Sequence, residues 1–121
     1  MSDSIRLEGV LCRCRIGVPA WERKKPQRIL LDVAVEMPLR RAGLSDDLRH
    51  SPDYHGLERA LRSAAEAGEF KLLEALAETL AKTALAFDER IVAVEIHARK
   101  KPAVMPKTGA VIVAIRRVRK N

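Results

Sequence analysis

Four side chains that can bind polar groups or transfer protons stand at unusual places in this sequence. Glu22 lies in the run Ala-Trp-Glu-Arg, within a segment interrupted by glycine and proline. Tyr54 opens a helical pattern, Glu74 lies at the margin of the apolar stripe of a second helical pattern, and Lys101 directly precedes a proline. Each of them alone also suits an ordinary surface or core role, and their spacing does not join them into a site. Whether these four residues form a functional site depends on the strands and helices that position them.

Two kinds of hydrophobic periodicity define these elements. Alternation with a period of two predicts β-strands over residues 5–16, 28–37, 91–98 and 109–118. Between the second and third of these strands, apolar residues recur every three or four positions, which predicts two amphipathic helices. The first helix begins after Asp53, a suitable N-cap, and ends at Gly68, whereas the second runs from about Lys71 to Phe87.

The resulting order ββααββ predicts an α+β fold in one domain that comprises residues 1–121. The two helices should cover one face of a four-stranded, mainly antiparallel sheet, because each helix needs an apolar surface to pack against. Such a sheet has two free edges. Subunit pairing that closes the sheet into a barrel would remove these edges, so oligomerisation is favoured.

Charge and composition narrow the possible partners. The formal net charge of +7 favours anionic partners and suggests a nucleic-acid-binding domain as one hypothesis. However, the chain has only one Trp, one Tyr and two Phe, and these form no paired platform for stacking bases. We therefore expect no nucleic-acid partner. No segment approaches the length of a membrane span and no apolar leader is apparent, so we also expect no membrane association and a cytoplasmic location.

The cysteine and histidine residues do not indicate a metal site. Cys12 and Cys14 fall on the same face of the first predicted strand, which suits small buried thiols in a reducing compartment better than a local disulfide. Structural zinc needs four ligands, and the chain has no second cysteine pair. Nor do His50, His55 and His97 form a His-x-His pair. We predict no metal and no cofactor.

Six short motifs follow one another along the chain. They are Ile16-Gly17-Val18, Trp21-Glu22-Arg23, Ser45-Asp46-Asp47, Asp53-Tyr54, Leu72-Leu73-Glu74-x-Leu76-Ala77 and Lys101-Pro102. None of these motifs is specific by itself, but their order and the order of the predicted elements resemble those of the dihydroneopterin aldolases of folate biosynthesis. The resemblance extends from about residue 5 to residue 117.

The resemblance implies the tunnelling fold, in which subunits join edge to edge into a ring that encloses a β-barrel, as a tetramer or a stacked octamer. It implies a carbon–carbon lyase that cleaves 7,8-dihydroneopterin into 6-hydroxymethyl-7,8-dihydropterin and glycolaldehyde, with neither a metal nor a lysine Schiff base. Active sites are expected between subunits. Tyr54 and Glu22 would complete a site whose Glu74 and Lys101 belong to the adjacent chain.

The resemblance also implies a role for each candidate residue. Glu74 would anchor the pterin by accepting its 2-amino and N3–H donors, and Leu73 would contribute backbone contact. Tyr54 would present its ring to the heterocycle from the neighbouring subunit and would be a catalytic residue as well as a substrate-binding one. Glu22 would bind near the side-chain hydroxyls, and Lys101 would act as the general acid and base.

Some alternatives stay open at this point. Lys100 precedes Lys101, which leaves the choice of the acting lysine between the two, although the family's lysine directly precedes the proline. A paralogous epimerase that acts on dihydroneopterin triphosphate, or on its dephosphorylated form, shares the implied fold and most of the pocket. The basic loop near Lys101 favours that epimerase, whereas the pair Lys101-Pro102 favours the aldolase. His55 also departs from the family pattern, in which a small residue usually follows the tyrosine.

Overall fold

The computed structural model describes residues 3–120, so the first two residues and the last residue of the predicted domain lie outside the described range. The strands are β1 (Ser4–Ile16), β2 (Gln27–Glu36), β3 (Glu69–Phe70), β4 (Ala93–Lys100) and β5 (Val111–Val118). The α-helices are α1 (Arg40–Ser45), α2 (Tyr54–Ala67) and α3 (Leu73–Phe87), and two short 3-10 helices cover Ala20–Lys24 and Leu48–His50.

The prediction of a four-stranded antiparallel sheet is wrong in one respect. The sheet is mixed and has five strands, in the order β3-β1-β2-β4-β5. β1, β2, β4 and β5 pair antiparallel as expected, but β3 pairs parallel with the end of β1 through Arg15 and Ile16. A strand of two residues is too short to show an alternating pattern, so only its spatial proximity to β1 reveals it.

The strands alternate as their sequences predict. Inward-facing residues of β1, β2 and β4 are almost completely buried, including Cys12, Ile29, Leu31 and Ile96. The pairing of β1 with β2 shifts in register between Leu7 and Val10. At this bulge Gly9 adopts a φ of +68° and donates its amide to the Asp32 carboxylate at 2.8 Å.

The helices cover one face of the sheet. Asp53 is the N-cap of α2, as predicted, and its carboxylate accepts the Gly56 amide at 2.9 Å. α3 buries the apolar stripe that the sequence predicts, except that Leu72 precedes the helix and is 49% exposed. Within residues 3–120, none of the helices combines the length with the apolar character that a membrane span requires. The core lies between these helices and the inward faces of β1, β2 and β4.

Both cysteines are free and buried in this core, in agreement with the sequence-based interpretation. Burial is the main cause that raises the pKa of the Cys12 thiol to about 12 and that of the Cys14 thiol to about 11. The nearby Glu66 carboxylate raises both pKa values further. The thiols therefore stay protonated, and unreactive as nucleophiles, at neutral pH.

Candidate active site

A buried ion pair marks one end of the sheet. Glu22 is only 6% exposed, which makes it the one charged residue among residues 3–120 that the core encloses. Its carboxylate Oε2 accepts a hydrogen bond from the Lys100 ammonium Nζ at 3.0 Å. The Lys100 side chain is itself 12% exposed. Burying a carboxylate requires a charged or hydrogen-bonded partner, and Lys100 supplies it across 78 residues of sequence.

The loop that carries Glu22 is fixed by several polar contacts. The Gln27 side-chain amide donates to the Glu22 carbonyl at 3.1 Å, and the Arg23 guanidinium donates to the carbonyls of Gly17 and Val18. Gly17 adopts a φ of +151°, and a Cβ added there would lie 2.4 Å from the Glu22 Cβ. A glycine is therefore needed where the chain passes the buried carboxylate.

Three other candidate residues lie at the same end of the sheet. Lys101 directly follows the last residue of β4, and its side chain is exposed, whereas Pro102 is buried. Leu73 and Glu74 form the first turn of α3, immediately after β3 has paired with the end of β1. Leu73 is buried and Glu74 is exposed. A carboxylate in the first turn of a helix is stabilised by the helix dipole.

Tyr54 lies at the opposite end of the molecule. It begins α2, whose 14 residues extend over about 20 Å. The other end of this helix leads into β3, beside Arg15 and Ile16 of β1. The Tyr54 side chain is 55% exposed. Within one chain, therefore, the structure separates Tyr54 from the four other predicted site residues.

Within one chain, Glu22 lies at the end of the sheet that carries Lys101, far from Tyr54. The resemblance implies that Glu22 and Tyr54 complete a site whose Glu74 and Lys101 belong to the adjacent chain, and this division stays a prediction. Glu22 contacts Lys100 of its own chain and lies at the end of the sheet where Lys101 begins the next loop. Glu22 and Lys100 meet because β2 pairs antiparallel with β4, which places the start of β2 next to the end of β4.

Sequence reasoning missed the contact of Lys100, although a signal for it is present. Val94, Ile96 and Ala98 face the core, so the same alternation assigns Lys100 to the inward face. A lysine at an inward position near the end of a strand indicates a buried anionic partner. The structural roles of Gln27 and Arg23 carry no comparable signal, because their contacts depend on how the loop folds back.

The exposed apolar side chains are concentrated in segments next to these two ends. Near Glu22 and Lys101, the loops expose large apolar side chains, namely Val18, Trp21, Leu72, Val104 and Met105. Near Tyr54, Leu44 and Leu48 are 78% and 81% exposed. Exposed apolar groups of this kind are typical of surfaces that contact a ligand or another subunit.

The fold and the site together define the class of protein. A uricase from Bacillus fastidious has the same fold over all of this chain and 45% of its own, with a TM-score of 0.66. At 14% identity, that likeness concerns the fold alone. The chain is therefore a member of the structural class in which two helices cover one face of a largely antiparallel sheet.

Within this class the relationship is closer to one family. The E. coli dihydroneopterin aldolase, solved in complex with neopterin, is 30% identical and has a TM-score of 0.88, with 95% of this chain and 98% of that chain covered. A dihydroneopterin aldolase of Methylorubrum extorquens is 32% identical over 88% of this chain and 82% of its own. The family model "FolB: Dihydroneopterin aldolase" matches residues 5–116. The chain belongs to the dihydroneopterin aldolase family, which confirms the resemblance derived from the sequence.

Proposed function

We propose that this protein cleaves 7,8-dihydroneopterin into 6-hydroxymethyl-7,8-dihydropterin and glycolaldehyde. The observation that carries the proposal is the buried pair of Glu22 and Lys100, which lies at the same end of the sheet as Lys101, Leu73 and Glu74. This end brings a carboxylate, an exposed amine and a helix N-terminus together in a chain that belongs to the aldolase family.

The binding half of the proposed site is the first turn of α3. The pterin edge carries a 2-amino group and an N3–H group, which form a planar pair of donors. The exposed Glu74 carboxylate can accept both of them, and such charge-assisted pairs are among the stronger hydrogen bonds. The backbone of Leu73 lies next to Glu74 and would contact the same edge.

The proton-transfer half is Lys101. In its neutral form the amine would take the proton of the 2′-hydroxyl, either directly or through a water molecule. The C1′–C2′ bond then breaks, glycolaldehyde leaves with a new C=O bond, and the electron pair passes into the pterin ring protonated at N5. The resulting enamine takes a proton at C1′ and loses the proton at N5. The ring itself holds the electrons, so the proposed reaction needs neither a metal nor a Schiff base.

Lys100 has a different role in this proposal. Its ammonium is engaged by the Glu22 carboxylate, whereas Lys101 is exposed and has no carboxylate within 4 Å among residues 3–120. Lys100 therefore suits the positioning of Glu22 near the side-chain hydroxyls of the substrate, and Lys101 suits proton transfer.

A second part of the proposal is that Tyr54 reaches the site from a neighbouring subunit. In one chain Tyr54 lies at the far end of α2, so a second copy must bring its ring to the pterin. Both sides of the sheet offer unpaired backbone edges for such a contact. Within residues 3–120, β5 pairs only with β4, and the outer side of β1 pairs only through Arg15 and Ile16.

The grooves next to these edges have complementary charges. The groove between α2 and β1, of about 370 Å³, is lined by the carboxylates Glu8, Glu58 and Glu66 together with two arginines. The groove between α3 and β5, of about 630 Å³, is lined by one carboxylate and by four basic residues, namely Lys82, Arg117, Arg119 and Lys120. Complementary charges align partners in one register. We therefore infer a head-to-tail contact that repeats into a closed ring.

Three experiments test the proposal. The purified protein is incubated with 7,8-dihydroneopterin and the products are separated, where 6-hydroxymethyl-7,8-dihydropterin and glycolaldehyde are expected in equal amounts. Conversion of the substrate only to its 2′ epimer would instead identify an epimerase. The assembly is tested by the solution mass, expected near four or eight times the 13.5 kDa of one chain. Inactive Tyr54→Ala and Lys101→Ala chains should regain activity when reassembled together, and mixed rings without activity would contradict a shared site.

A further inference from the structure

Four arginines lie on the sheet face that the helices leave uncovered, at the end that carries Glu22. Arg13 of β1 is paired in register with Arg28 of β2. Arg99 of β4 is opposite Leu30, which makes it the diagonal neighbour of Arg28 on this face. Arg15 follows Arg13 by two residues, on the same side of β1. All four are exposed, and we refer to them as the arginine cluster.

The pair of Arg13 and Arg28 is closely spaced. The Arg13 amide donates to the Glu66 carboxylate at 3.2 Å, on the side of β1 that faces away from β2. The two arginines therefore form a non-hydrogen-bonded pair, in which the Cα atoms are about 4.5 Å apart and the side chains approach most closely. Like charges in directly opposite positions destabilise a sheet.

Arg13 lines the groove that also holds Glu8, Glu58 and Glu66, but within the described residues it forms no direct ion pair with them. Among residues 3–120, no carboxylate lies within 4 Å of a guanidinium nitrogen of Arg13, Arg28 or Arg99, although eight other ion pairs occur in this range. Glu66 accepts from the backbone of Arg13 and not from its guanidinium. Arg15 donates to the carbonyls of Arg23 and Lys24, which leaves its positive charge without an anion.

We propose that the arginine cluster binds the phosphoryl groups of a small polyphosphorylated anion. The guanidinium is planar and matches two phosphoryl oxygens at once. Opposite positions on adjacent strands are about 5 Å apart and residues two apart on a strand are about 7 Å apart, which gives the cluster the dimensions of a short chain of phosphoryl groups. Such an anion would replace the missing carboxylates and relieve the repulsion between Arg13 and Arg28.

The small extent of the cluster favours such a ligand over a nucleic acid. A groove that follows a nucleic-acid backbone needs cations over several nucleotides and aromatic side chains for stacking. Further along the strands, the same face of the sheet carries the carboxylates of Asp32, Glu36 and Glu95. Arg6 and Arg116 also lie on this part of the face, next to those carboxylates, so the positive charge without a neighbouring carboxylate on this face is concentrated at one end of the sheet.

The proposal is tested by calorimetric titration of the protein with inorganic tripolyphosphate at constant ionic strength. This assay measures binding and not turnover. A negative result would therefore contradict the anion site without bearing on the proposed aldolase activity. We expect saturable binding that Arg28→Gln and Arg13→Gln each weaken about tenfold or more. Arg41→Gln and Arg59→Gln remove exposed arginines elsewhere and should leave the affinity unchanged. Without the ligand, Arg28→Gln should not lower the melting temperature, which shows that the variant folds.

The proposal would be overturned if tripolyphosphate did not bind, or if the control variants weakened its binding as much as Arg28→Gln and Arg13→Gln do. Equal affinity for citrate would also overturn it, because it would indicate a general response to anions. Tighter binding of a single-stranded oligonucleotide through the same arginines would also contradict a small ligand. Addition of saturating neopterin distinguishes two sources of the phosphoryl groups. Binding of tripolyphosphate that neopterin leaves unchanged indicates a cluster separate from the pterin pocket and hence a separate phosphorylated ligand. Mutual exclusion indicates a cluster that adjoins the pterin pocket, where the phosphoryl groups of a phosphorylated pterin would lie.

Discussion

Removal of the Lys100 ammonium should destabilise the protein strongly, because it leaves the Glu22 carboxylate buried without a cation. The side chains of Glu22 and Lys100 are only 3% and 12% exposed, so water cannot replace the lost partner without opening the loop. Breaking a buried ion pair from one side costs about 3–5 kcal/mol. For a chain of 121 residues, unfolding entropies of about 2.1 cal/mol/K per residue convert this cost into a decrease of about 12–20 °C in the melting temperature.

The assay is thermal and chemical denaturation of Lys100→Met at a fixed protein concentration, since assembly makes the apparent stability depend on concentration. Lys101→Met is the matched control. It removes the adjacent and exposed amine, so it should change the free energy of unfolding by less than about 0.5 kcal/mol. In the double variant Glu22→Gln/Lys100→Met, neither charge is buried, and much of the lost stability should return.

Two results would refute this reasoning. If Lys100→Met stays within about 1 kcal/mol of the parent, the ammonium does not compensate the buried charge. If the double variant loses the sum of the two single losses, to within about 0.5 kcal/mol, the two side chains are not coupled.

Three further predictions concern binding, catalysis and pH. Glu74→Ala should weaken pterin affinity at least about tenfold, because the loss of one partner of a charged hydrogen-bonded pair costs about 2–5 kcal/mol; a titration that shows little change would contradict the role as anchor. Lys101→Ala should lower turnover by about 10²–10⁴-fold with pterin binding largely retained, and borohydride added during turnover should trap no adduct. Full activity of Lys101→Ala beside an inactive Lys100→Ala would assign proton transfer to Lys100. Burial raises the thiol pKa from 9.0 to about 12 for Cys12 and to about 11 for Cys14. Near pH 9 these thiols therefore ionise only in the unfolded chain. The free energy of unfolding should consequently fall as the pH rises above 9. Denaturant titrations at pH 8 and pH 10 measure this loss, which should be smaller in Cys12→Ala; an equal loss in that variant would exclude the thiol as its cause.

The local elements and their order follow from the sequence alone. Val10, Cys12 and Cys14 alternate with polar neighbours, and this period of two is a property of the extended chain that needs no knowledge of partners. The N-cap at Asp53 is local in the same way, because its carboxylate accepts an amide only three residues away. These signals, together with the order of the six motifs, were sufficient to predict the α+β fold and the family.

Which residues meet in space, by contrast, depends on the tertiary packing. β3 exists because α2 ends beside β1, and its two residues carry no pattern of their own. Lys100 reaches Glu22 because β4 pairs antiparallel with β2, a contact between residues that are far apart in the sequence. Tyr54 is separated from the other candidate residues because α2 spans the sheet. Such contacts depend on strand register and on helix direction, which local periodicity does not specify, and these two features placed the candidate catalytic groups.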